Sequence, residues 1–174
     1  YILGEMIGEL NAGHTYVGGG EYPKPKRIPM GLLGAELERD DESGYYRITK
    51  ILRGQNWDDG TRSPLTEIGV DANEGDYILA SDGASTADVN DIHELLINKA
   101  GKQVTLELNS EPKVKGSHKT VVVPTGDQAD LYYYGWVQGN IDKVSEATDG
   151  KVGYIHVPDM GVHGLNEFVE HFYP

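Results

Sequence analysis

The chain has 174 residues, enough for one domain of ordinary size plus flanks, and such a length can bury about two thirds of its unfolded surface. Lys and Arg number 15 against 28 Asp and Glu, and the resulting net charge of -13 argues against nucleic acid or an anionic membrane as partner. No cysteine is present, which excludes disulfides and thiol chemistry, and no apolar run approaches the roughly 20 residues of a membrane span.

In chain order, Ile2, Leu3, Met6, Ile7 and Leu10 recur at helical spacing and predict an amphipathic helix ending near Asn11. The chain starts in mid-pattern at Tyr1-Ile2-Leu3, without a charged-then-apolar signal, and reads as a piece of a longer polypeptide. Gly13-His14-Thr15-Tyr16-Val17 and three glycines follow; by local pattern His14 is a loop histidine after a helix. Residues 24–30, KPKRIPM, read as an extended linker that carries the only basic cluster, Lys24, Lys26 and Arg27. Beyond Gly31-Leu32-Leu33-Gly34, a strand is expected from Ala35 to Glu38, a turn at 40–44 and a second strand from Tyr45 to Leu52. Gly54 to Arg62 is a polar loop in which Trp57 is expected to pack on the sheet as an anchor.

Residues 63–83, SPLTEIGVDANEGDYILASDG, carry the most local information. Ser63 is a good N-cap and Pro64 suits the first helical position, where its missing N–H costs nothing. Leu65 and Ile68 fall on one face of a short helix that Gly69 stops. Glu74-Gly75-Asp76 turns the chain into Tyr77-Ile78-Leu79-Ala80, an apolar run fit for a buried strand, and Ser81-Asp82-Gly83 turns it again. This ordered string resembles the core signature of PDZ domains of the bacterial, protease-associated kind.

From Ala87 to Ala100 the pattern predicts a helix capped by Asp88 or Asn90, with Ile92, Leu95, Leu96 and Lys99 on one stripe and Gly101 ending it. Asn90, Glu94 and Ile97 lie at i, i+4 and i+7 and so share a second face. Gln103 to Leu108 alternates as a half-buried strand, and Thr120 to Pro124 is the closing strand, with His118 inert in the loop between. Residues 127–147 form a long amphipathic helix through Leu131, Tyr134, Val137, Ile141 and Val144. Lys151 to Val157 reads as a strand, and Leu165 to Phe172 as a helical segment.

Two further strings extend the resemblance. G-E-L-N-x-x-H-x-Y-V around His14 is similar to the histidine motif of tricorn-type serine peptidases, and GYIHVPDMGxxGLNEF, from Gly153, is similar to the opening of their catalytic subdomain. The pieces stand in that family's order. The resemblance implies an α+β fold: a PDZ-like, partly open β-barrel of five or six strands with two helices, flanked by helical and strand segments of a split peptidase domain. It divides the chain into 1–23 (end of the preceding subdomain), 24–126 (PDZ domain) and 127–174 (linker helix and start of the catalytic subdomain).

The resemblance also implies roles. His14 would be the general base for a serine supplied later in the sequence, so the chain alone would be inactive. Gly13 stands where the family commonly has an orienting serine, a task that would pass to Thr15 or Asn11. Leu33, Gly34, Ala35 and Glu36 would form the loop and strand that receive a peptide terminus, assisted by Arg27. Leu32 replaces the usual first glycine, and Ala35 a large aromatic, leaving a roomier pocket. Asn90, Glu94 and Ile97 would border the same groove, Glu94 favouring a basic or polar donor. The implied partners are peptides or unfolded polypeptides, the remaining parts of the same peptidase chain and, in the full-length protein, further copies of itself. A stand-alone peptide-binding module or a structural spacer remains the alternative. No cofactor is implied; His156, His163 and His171, spaced by seven and eight, do not form a compact metal motif.

Overall fold

The computed structural model describes residues 1–21 and 23–173. Among the described residues the α-helices and strands are α1 (Ile2–Gly8), β1 (Ala35–Arg39), β2 (Tyr46–Ile51), β3 (Tyr77–Ser81), β4 (Ala84–Ser85), β5 (Val104–Asn109), β6 (His118–Val122), α2 (Ala129–Ala147) and α3 (Val162–Phe172). The six strands form one antiparallel sheet in the order β1-β2-β3-β5-β6, with β4 paired to β3. Strand β1 is therefore an edge strand, bonded to β2 on one side only.

Alternation sets which residues reach the core. Tyr46 and Ile48 on β2, Ile78 on β3, Val104, Leu106 and Leu108 on β5, and Val122 on β6 turn to one interior with Ile92 and Leu96. Burial of each such aliphatic side chain contributes about 1.5–3 kcal/mol. The regular alternation breaks on β2, where Thr49 and Lys50 are both exposed before Ile51 turns inward. A register shift in the β1–β2 ladder between Glu36 and Leu37 accommodates the extra residue.

The two helices expected within the PDZ region are shorter and tighter than their spacing suggests. Pro64–Thr66 is a single 3₁₀ turn. Leu65 is buried while Ile68 is fully exposed, so the two do not share a face. Ser63 does not cap with its side chain; its own N–H is taken by Asn56 Oδ1 at 2.8 Å, and Asn56 Nδ2 donates to Thr66. The segment expected as a helix from Ala87 to Ala100 is two 3₁₀ pieces, Thr86–Asp88 and Ile92–Leu96, separated by extended residues. Local caps break it: Ser85 accepts from Ala87 N–H, and Asp91 with Glu94 forms a capping box around the second piece. The caps are Ser85 and Asp91 rather than Asp88 or Asn90.

Other expectations also need correction. Trp57 is 84% exposed and anchors nothing; the 54–62 loop is held by Asn56 and by Gln55 N–H on the Thr61 carbonyl. His118 opens β6, and its ring contacts the Asp71 carbonyl at 2.9 Å. Lys151–Val157 joins no ladder among the described residues, because no strand lies beside it to take its backbone groups. Helix α1 ends at Gly8, and every apolar residue of its stripe is at least partly exposed.

Candidate functional site

Strand β1 and residues 89–97 run alongside each other in opposite directions. At one end Met30 and Ile97 form an antiparallel bridge, with Gly31 N–H on the Leu96 carbonyl (2.9 Å) and Asn98 N–H on the Pro29 carbonyl (2.9 Å). At the other end the Arg39 guanidinium donates to the Val89 carbonyl (3.2 Å), and the Tyr46 hydroxyl donates to the Asn90 carbonyl. The space between these ties is the candidate groove, with Leu33 and Ala35 buried and Leu37 half-buried along its β1 side. One of its walls is the unpaired edge of β1.

The loop at its Met30 end is built by close approach. Gly34 has φ 68, in the left-handed region, and a Cβ there would lie 2.8 Å from Pro64 Cδ and 3.3 Å from Ser63 Oγ. Leu32 is bridged to Thr125 by paired backbone bonds of 2.7 and 2.9 Å. The N–H groups of Leu33 and Gly34, both buried residues, donate to no acceptor among the described residues. The Ser63 hydroxyl beside them is also buried and unpartnered. This combination of neighbouring free donors in a left-handed turn is the chemistry of an anion-binding nest.

Among the residues the sequence singled out, Leu33, Gly34, Ala35 and Glu36 are contiguous at this loop and edge. The Glu36 carboxylate faces Lys50 on β2 at 3.4 Å. Arg27 is exposed in the linker that enters the loop. Asn90, Glu94 and Ile97 are all exposed along the second wall, but not as one α-helical stripe. Asn90 precedes the cap, Glu94 is part of the capping box, and Ile97 ends the turn. In a 3₁₀ turn the repeat is three, so Glu94 and Ile97 align with Asp91 and not with Asn90. Asp91 lies below the usual carboxylate range because the His93 N–H, and then its ring, donate to it.

His14 is exposed, with φ 61, after the turn that ends α1. Its Nδ1 lies 3.2 Å from the Tyr16 hydroxyl, a partner the sequence reading missed although it stands two residues away. Thr15 instead donates to the Ala12 carbonyl, and so is turned away from the imidazole.

A second concavity of about 670 Å³ lies between α2, α3 and the 55–61 loop. The fold brings His156, His163 and His171 to its wall despite their distance in sequence. His156 Nε2 meets the Tyr133 hydroxyl at 2.5 Å and His171 lies 3.4 Å from Glu167. No three His, Asp or Glu among the described residues cluster closely enough to hold a metal.

The family model described as the tricorn protease PDZ domain matches residues 31–127. The chain belongs to the tricorn protease PDZ domain family. It is 39% identical to the tricorn protease homolog of Saccharolobus solfataricus, over 98% of this chain and 15% of that protein. Identity to tricorn protease homolog 1 of Streptomyces coelicolor is 38%, over 94% of this chain and 15% of the relative. For the tricorn protease of Thermoplasma acidophilum it is 31%, over 98% and 16%. A crystal structure of the tricorn protease superposes with a TM-score of 0.76 at 33% identity, over 97% of this chain and 16% of that one. The chain thus spans about one sixth of the length of these relatives. Every buried hydrophobic residue except Leu131 falls inside the matched tricorn PDZ region, between Leu33 and Val122.

Proposed function

We propose that the chain is the central part of a tricorn-type serine peptidase acting in peptide degradation, with a PDZ groove that takes polypeptide chain ends and with His14 as general base of the complete enzyme. The observation that carries the groove is the pair of unengaged N–H groups at Leu33 and Gly34 beside the open edge of β1. A terminal carboxylate seated there would accept from both donors while its chain adds as a strand to β1. Leu33, Gly34, Ala35, Glu36 and Arg27 line the carboxylate end, and Asn90, Glu94 and Ile97 the facing wall.

Membership of a larger enzyme accounts for the apolar faces the chain leaves open. Ile2, Leu3 and Met6 on α1, and Leu165, Phe168 and Phe172 on α3, are exposed on the segments that flank the sheet domain. These faces suit docking against the remaining parts of the peptidase and, in the full-length protein, assembly of several copies. His14, exposed on the N-terminal flank, is free to meet a hydroxyl brought by another segment. There the imidazole would take the serine proton, an acyl-enzyme would form, and water would hydrolyse it. A general base contributes about 10²–10⁴-fold only when the nucleophile is present. Alone, the chain is expected to cleave nothing.

Titration of the chain with matched peptides bearing free or amidated C-termini tests the groove. Amidation is expected to weaken binding by about tenfold or more, the loss of one charge-assisted contact. Equal affinity would sink the chain-end reading. For the peptidase, a serine-directed phosphonate should label the full-length protein and fail to label its His14→Ala variant; equal rates would remove His14 from the base role. A structural spacer is the second reading, favoured by the Met30–Ile97 bridge, which puts the chain's own backbone at the loop end of the groove. It expects indifference to every peptide.

A further inference from the structure

At its far end the groove's two walls are tied to each other by three contacts. Arg39 holds the Val89 carbonyl, Tyr46 holds the Asn90 carbonyl, and the turn residue Gly44 sits against Ala87, whose Cβ would be 3.5 Å from a Cβ built on that glycine. The β1–β2 turn is thereby laid on residues 87–91, and both segments present acids there. Glu38, Asp41 and Glu42 come from one side, Asp88, Asp91 and Glu94 from the other, all exposed. The neighbouring cations are fewer than these acids, and one of them, Arg39, stands at the mouth itself. Arg39 is tied to Val89 with its guanidinium 6.0 Å from the Tyr46 ring centroid, Arg47 donates to the Gly75 carbonyl, and the His93 ring is 2.7 Å from Asp91. Asp40 at the turn is held below the usual carboxylate range, because the Ser43 hydroxyl and then the Glu42 N–H donate to it.

The opposite end has the opposite character. Leu33 and Gly34 offer free N–H groups there, the buried Ser63 hydroxyl has no partner, and Lys24, Lys26 and Arg27 lie on the linker that enters the loop. The groove is therefore polarised along its length. A strand antiparallel to β1, with its carboxylate at Gly34, reaches Arg39 five residues upstream, about 17 Å at roughly 3.3 Å per residue.

We infer that the polypeptides this groove prefers carry Lys or Arg about five residues before their C-terminal carboxylate, read by the acidic mouth formed by the β1–β2 turn and residues 88–94. The inference rests on the chain-end reading of the groove and names the class of sequence it selects. Because the acids are exposed, their attraction acts over a Debye length and fades with salt.

Two fluorescein-labelled octapeptide libraries with free C-termini test it, one with Lys and one with Glu fixed at the fourth to sixth positions from the carboxylate. Anisotropy titration against the 174-residue chain is expected to give the Lys library about tenfold tighter binding near 20 mM salt, falling below about threefold near 0.5 M as the Debye length shrinks. In the Asp41→Asn, Glu42→Gln, Asp88→Asn variant the low-salt ratio should also fall below about threefold. None of these three side chains makes an ion pair, nor donates or accepts a hydrogen bond, among the described residues, so the variant's melting curve should match the parent's. Equal affinity of the two libraries at low salt, or an unchanged ratio in the variant, overturns the inference and leaves the groove standing. Binding of neither library removes the groove and the inference together.

Discussion

Pro64 buttresses Gly34: a Cβ on the glycine would come within 2.8 Å of the proline Cδ, and the glycine's φ of 68 suits no branched residue. The first 3₁₀ turn therefore sets the shape of the loop whose N–H groups are free. Gly34→Ala should destabilise the chain by about 2 kcal/mol, combining the left-handed backbone with the contact on Pro64. Thermal melts of the two proteins measure this, and an unchanged midpoint would show the loop to be less constrained than its packing implies.

Leu131 fastens α2 to the sheet domain. It is the one buried residue of that helix, 1% exposed, and its methyls press on Gly34 and Gly54. Leu131→Ala should cost about 2–5 kcal/mol as a buried leucine truncation, with part of the cost appearing as release of the helix. Amide exchange across residues 129–147 should speed up more than exchange in β5. Uniform acceleration across both would indicate that α2 and the sheet unfold as one unit.

Asp82 joins the β3–β4 turn to the chain after Leu96. Its carboxyl is held below the usual range chiefly by the Lys99 ammonium at 2.6 Å, and next by the Thr105 N–H. A lowered folded-state pKa stabilises the fold above the unfolded value of about 3.9, and that contribution is lost as pH falls through the folded value. Both partners are about one third exposed, so solvent screening keeps the effect to about 1 kcal/mol or less. Urea denaturation should show Asp82→Asn less stable than the parent at neutral pH, with the gap closing in the acid range. A gap that is constant with pH would assign the effect to packing instead.

Asp159 organises the start of α3. Its carboxylate accepts from the Gly164 N–H at 3.0 Å and the Gly161 N–H at 2.7 Å, which also hold its pKa down, Gly164 first. Asp159→Ala should lower amide protection in the first turn of α3 without altering the melting of the sheet. Unchanged protection at Gly161 and Gly164 would show that these donors find other acceptors.

Much of this was legible in single residues. Alternating Val104, Leu106 and Leu108, the apolar run at Tyr77–Ala80 and the helical stripe around Leu131 each found the element their spacing predicts, because a period of two or of nearly four decides which side chains can share a buried face. The ordered motifs around His14, Ser63 and Gly153 likewise carried the family. The misreadings have a common cause. Residues 87–100 carry a helical pattern, yet Ser85 and Asp91 cap this stretch into two short turns, and Gly31 and Pro29 take up backbone groups at its end. Trp57 and Ile68 look like core residues by type alone, and nothing local tells which large side chains find no neighbour.

By itself, then, the order of residues determined the family and most of the sheet strands, since these depend on local spacing and on motifs read in sequence. Only the tertiary structure decided that residues 89–97 close a groove against β1, that Leu33 and Gly34 keep free donors, and that acids from two distant segments meet at one mouth. Those features arise from backbone bonds and packing between residues tens of positions apart, which no local period encodes.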